Sequence, residues 1–101
     1  MKTKLPSINC KVQNLYNKNQ FLIRLDTKAS MYFIFQSYKS EIAIYNRIKQ
    51  ELYINEEYIN YSKTTSKHLY IFINEYTRFS CHNLKELTQL IKEGTIKTYR
   101  R

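Results

Sequence analysis

The spacing of apolar residues along this chain changes once, after Asn60, and that change restricts the folds open to it. Before Asn60 lie four short segments: "FLIRLD" from Phe21, "MYFIFQS" from Met31, "SEIAIY" from Ser40 and "ELYIN" from Glu51. They are rich in Ile, Tyr and Phe and bounded by turn residues, the pattern of an antiparallel meander. In the third segment, the alternation predicts a dry face of Ile42 and Ile44 and a wet face of Glu41, Ala43 and Tyr45. After Asn60 the period becomes helical. Thr65, Leu69, Phe72 and Tyr76 recur at i, i+4, i+7 and i+11, with Ile73 beside them.

Ser62 is placed to cap a helix over residues 63–77, because its hydroxyl can accept an orphan N–H of the first turn. A second helix over residues 84–92 is signalled by Asn83 with Glu86, an apolar stripe of Leu84, Leu87, Leu90 and Ile91, and Gly94 as its stop. "TIKTY" then fits a returning strand. Strands first and helices after, without βαβ alternation, predict an α+β fold. The expected form is a small antiparallel sheet of three to five strands followed by two helices packed on one face, in a single domain over residues 1–101. With one glycine and one proline, the turns fall to asparagine, expected at Tyr16–Gln20, Tyr45–Lys49 and Asn55–Glu57.

Composition excludes several classes. The longest aliphatic and aromatic run, Leu69 to Ile73, is far short of a bilayer span, so no membrane role is expected. The basic N-terminus lacks the apolar region of a signal peptide. Two cysteines do not make a disulfide scaffold, which favours a reduced, cytoplasmic setting. The formal charge is +9, with 17 Lys and Arg against eight acids. Residues 1–40 carry seven cations against Asp26 alone. Such a balance favours polyanionic or acidic partners. Coding bias is the competing cause, since Lys, Asn, Ile, Tyr and Phe, all with AT-rich codons, fill nearly half the chain.

Catalytic patterns fail one by one. The stretch "NYSKTTSKHLYIFINEY", from Asn60, concentrates hydroxyls, lysines and His68. A serine or threonine nucleophile needs an oriented imidazole and oxyanion donors, and the acid and glycine-built nest for these are missing here. Thr64 and Lys67 imitate a Ser-x-x-Lys pair without its companion motifs. The segment therefore reads as a capped helix start. Asp26–Lys28 has no upstream acid for a two-metal nuclease, and Glu56–Glu57 reads as a solvated turn. Cys10, His68, Cys81 and His82 number four but lack zinc-site spacing. No phosphate loop or dinucleotide fingerprint is present. The expectation is a non-enzymatic chain without metal or cofactor.

A surface remains. Lys63, Lys67, Tyr70, Asn74 and Arg78 fall at i, i+4, i+7, i+11 and i+15, opposite the apolar stripe. A basic stripe with a central tyrosine suits phosphates or an acidic groove, and an ordinary solvated helix face is the plain alternative. The aromatic segment from Met31 also suggests a base-stacking platform, weakened because Tyr32 and Phe33 must point to opposite faces.

Two segments together resemble a group of small phage-encoded proteins of unassigned function. "QSYKSEIAIY" is similar to that group's Ser-Tyr-x-Thr/Ser-x-Ile/Val-Ala strand, and "YSKTTSKHLYIFINEY" to its Tyr-Ser-x-Thr-Thr-x-Lys-His/Tyr-Leu helix entry. "LIKEGTIK" fits as well, and the likeness spans residues 20–98. Ile59–Asn60 replaces the aromatic-Asp pair that often precedes the Tyr-Ser. The resemblance implies an accessory protein of a phage or mobile element, at work in the bacterial host cytoplasm. It would bind a host protein or ribonucleoprotein, such as a CRISPR effector or another nuclease, as an anti-CRISPR-type inhibitor does. Direct DNA or RNA binding is the alternative.

Overall fold

The computed structural model describes residues 9–100. Six strands form one sheet in sequence order: β1 (Asn9–Asn14), β2 (Gln20–Asp26), β3 (Met31–Ser37), β4 (Ser40–Asn46), β5 (Glu51–Asn55) and β6 (Lys97–Tyr99). A short 3-10 turn, Glu56–Tyr58, and two helices, α1 (Lys63–Tyr76) and α2 (Leu84–Lys92), lie between β5 and β6. The α+β class is as the change of period predicts. The strand count is not: six strands replace the expected three to five, and the sheet is mixed. β1 to β5 pair antiparallel, while β6 returns through the helices to pair parallel with β5.

The one-glycine composition is accommodated differently from expectation. Asparagine works mainly through its side chain. The Asn17, Asn46 and Asn55 carboxamide oxygens each accept N–H groups of their own turn. Positive φ is carried by Tyr16, Tyr38 and Gln50, and by asparagine only at Asn60. Gly94 has φ 81° just past α2, a left-handed stop that strains any residue with a side chain.

The helices cover one face. Leu22, Phe35, Ala43 and Ile54 stand in register across β2 to β5 and are buried. Phe72 of α1 stacks on Phe35 at 5.9 Å, and Tyr76 meets Phe33 edge-on at 5.4 Å. The predicted alternation in β4 is corrected here. The β3–β4 register slips between Phe35 and Gln36, so Ile42 is an extra residue in β4. Ile42 and Ala43 are therefore both buried, Tyr45 follows on the helix side, and Ile44 faces away. Ile42 is dry as predicted, and the inserted residue exchanges the two faces for Ala43, Ile44 and Tyr45.

Both helices begin as their caps dictate. The Ser62 hydroxyl accepts Thr65 N–H at 3.1 Å, and the Asn83 carboxamide accepts Glu86 N–H at 2.9 Å. Glu86 reaches back one residue further than a standard capping box, to His82 N–H at 2.8 Å. Ser62→Ala is expected to cost about 1 kcal/mol, read from urea denaturation followed by circular dichroism. Loss of well under half that value would mean that the Ser62 bond does not hold the α1 entry.

Candidate functional site

The sequence stripe is divided by the structure. Lys63, Lys67, Tyr70 and Asn74 line one side of an open groove of about 580 Å³ along α1. Ser66, Ile71 and Glu75, which accepts the Tyr16 hydroxyl at 2.8 Å, also line it, with His82 from the loop before α2. Both lysines are exposed, and Tyr70 is half-buried. Burial pushes the Tyr70 phenol up from its ordinary range, so it remains a neutral hydrogen-bonding group. Two lysines at the N-terminal end of the groove, a neutral phenol and Ile71 can seat a carboxylate or phosphate beside an apolar group at that end, while Glu75 makes the other end acidic.

Arg78 does not belong to this groove. The helix stops at Tyr76, where the hydroxyl of the Thr77 cap bonds Ile73 O at 2.6 Å. Arg78 instead lies over the Phe79 ring at 4.3 Å and donates to Gln50 O at 3.2 Å. It faces Lys49 and Lys97, on a different surface. Asn74 stands in the groove wall, but its amide is committed to the fold. It donates to Tyr70 O and Cys81 O and accepts Cys81 N–H at 3.0 Å. This clamp brings His82 to the groove.

Ser62, Thr65 and His68 of the hydroxyl segment are absorbed by structure, whereas Ser66 Oγ is buried without a partner among the described residues. Ser62 caps α1, and Thr65 meets Ser37 in a buried hydroxyl pair at 3.2 Å. The His68 ring is buried, with Nδ1 at 2.8 Å from Thr64 O, as expected of a histidine bonding its own helix backbone. Beside the α1 N-terminus, Ser40 and Tyr58 share a further hydroxyl contact at 2.8 Å within a cleft of about 230 Å³. Glu56 is engaged by Arg100 at 3.1 Å and by Thr98, and Asp26 by Arg24 at 3.2 Å.

The four sulfur and imidazole groups lie in different settings. Cys10 is exposed on β1 and His82 exposed beside Glu86, while Cys81 and His68 are buried. Burial raises the Cys81 thiol, which disfavours the thiolate a metal would need. Among the described residues no three His, Cys, Asp or Glu side chains converge as metal ligands, and no helix is long and apolar enough to cross a membrane.

Two participants escape sequence reasoning. His82 enters the groove from a loop outside the helical period. Gln20 is fully buried at the start of β2, opposite Ser37, and neither of its amide atoms has a protein partner among the described residues. Nothing in "YNKNQ" marks Gln20 as interior.

No curated protein and no solved structure matches the chain. A family model does match, over residues 3–90, taking in the meander, α1 and most of α2. The chain belongs to that family, a family of unknown function (DUF8033).

Proposed function

We propose that this chain is a non-enzymatic binding protein that modulates or inhibits a host nucleic-acid-processing target, a protein or ribonucleoprotein, through the α1 groove. The observation that carries the reading is the exposed Lys63 and Lys67 in one groove with the half-buried Tyr70 and Ile71. A half-buried tyrosine suits the anchor of an interface centre, and exposed lysines beside it suit a rim that steers an acidic partner. Ser62, Thr65 and His68 are engaged in a cap and buried bonds, which also favours binding over chemistry at those residues. The phage or mobile-element setting, and the anti-CRISPR type of target, rest on the resemblance alone.

Direct DNA or RNA binding is the second reading, and the +9 charge favours it. Salt separates the two. A duplex binder that neutralises several phosphates loses affinity with a log–log slope near −0.9 per contact. An inhibitor of a protein effector shows a shallower slope. Naked nucleic acid is expected to bind only in the roughly micromolar, non-specific range at physiological salt. Lys63→Glu with Lys67→Glu should weaken binding to a candidate effector complex at least about tenfold, about 1.4 kcal/mol. Titration of parent and double variant against such complexes and against free DNA and RNA provides the measurement. Unchanged affinity for every target would leave the α1 groove without a role. Nanomolar binding of naked nucleic acid with a steep slope would establish the second reading.

A further inference from the structure

The face of the sheet turned away from the helices carries a continuous apolar row. Val12, Ile23, Ile34, Ile44 and Tyr53 stand opposite one another across β1 to β5. They point away from the helices because Leu22, Phe35, Ala43 and Ile54, their strand neighbours, are buried on the other side. Val12 is 60% exposed, and the other four are half-buried. Among the described residues no helix lies over this row. Antiparallel sheets ordinarily place polar side chains on such a wet face, and a contiguous apolar patch there marks an interaction surface.

We infer that a second copy of the chain docks on this face, sheet against sheet about a two-fold axis. Three features favour a copy of itself. The first is charge. The acids on this face are engaged within it, Glu51 by Lys97 at 2.9 Å and Glu41 by the Tyr99 hydroxyl at 2.7 Å. Lys49, beside Ile44, Glu51 and Tyr53, joins Lys97 to set two cations against these two acids. A chain of +9 thus presents a locally balanced surface, which neither repels its own copy nor selects an oppositely charged partner. The second is area. At a rise of about 3.4 Å and a strand spacing of about 4.8 Å, the strand residues cover roughly 570 Å² of plane. Two such faces exceed the roughly 1,000 Å² that separates specific interfaces from incidental contacts. The third is the poor alternative of edge pairing. Lys11 on the β1 edge stands opposite Arg24, and a lysine on an edge strand opposes edge-to-edge growth. Face-to-face packing buries the isoleucine row and leaves the α1 groove of each copy open.

Sedimentation equilibrium of the full chain in reducing buffer, from micromolar to submillimolar concentration, tests the proposal. Reduction keeps the exposed Cys10 from linking copies covalently. The expected species has twice the 12.3 kDa chain mass. Ile34→Lys, at the centre of the row, should return it to monomer throughout that range, with an unchanged far-ultraviolet spectrum. Should Ile34→Lys fail to fold, Ile23→Thr with Ile44→Thr keeps β-branched residues in both strands and should also abolish the dimer. Lys11→Glu on the edge should leave the dimer intact. A parent chain that stays monomeric at every concentration overturns the proposal, as does a folded Ile34→Lys that remains dimeric.

Discussion

Phe72→Ala should remove about 3–5 kcal/mol of folding stability, the range for truncating a buried phenylalanine. Phe72 is fully buried and stacks between Phe35 at 5.9 Å and Tyr76 at 6.2 Å. With Tyr76 on Phe33, it joins α1 to β3 in the middle of the sheet. The cavity left by alanine lies between a helix and two strands, where a hydrogen-bonded backbone cannot easily close it. A domain of this size holds only about 5–15 kcal/mol in all, and each kcal/mol shifts its melting temperature by roughly 4–8 °C. Thermal and denaturant melts should therefore show a large loss. Ile71→Ala, half-buried in the groove, should lose less. A cycle with Phe35→Ala should return a coupling of about 0.5–1.5 kcal/mol, the contribution of ring stacking beyond area. A loss below about 1 kcal/mol for Phe72→Ala would place the helix–sheet contact elsewhere.

The position of Phe72 is legible in the sequence, and the reason it is legible explains what is not. Helices announce themselves locally. Ser62, Asn83 and Gly94 are each within a turn of the element they delimit, and the apolar stripes repeat inside one segment. Strands declare themselves only when one face is buried. β1, "NCKVQN", is exposed at all six positions and so carries no alternation to detect. β6 lies within the "TIKTY" expected to return as a strand, but its parallel pairing with β5 is fixed by where two helices deliver the chain. The extra Ile42 disturbs a period of two at the point where that period would be read.

The candidate groove divides along the same line. Lys63, Lys67, Tyr70 and Asn74 follow from helical spacing, because they share one helix. Arg78 continues that spacing on paper, but the helix ends before it, where the Thr77 hydroxyl takes Ile73 O. His82 joins from outside the period, through a side-chain clamp that no spacing rule contains.

That clamp yields the second large effect. Asn74→Ala should destabilise the fold by about 2–4 kcal/mol, because it orphans both backbone groups of Cys81, each costing about 1–3 kcal/mol when buried and unpaired. Asn74→Asp should restore part of the loss, since a carboxylate can still accept Cys81 N–H but cannot donate to Cys81 O. Lys63→Glu with Lys67→Glu touches exposed side chains away from the core and should leave stability within about 0.5 kcal/mol per site. The two sets of variants thus separate groove architecture from groove chemistry. Asn74→Ala lowers the melting temperature, and any binding defect it shows follows from the displaced His82 loop. The lysine pair lowers affinity at unchanged stability. If Asn74→Ala melts like the parent yet loses binding, its amide contacts the partner directly, and the loop is held to α1 by other means.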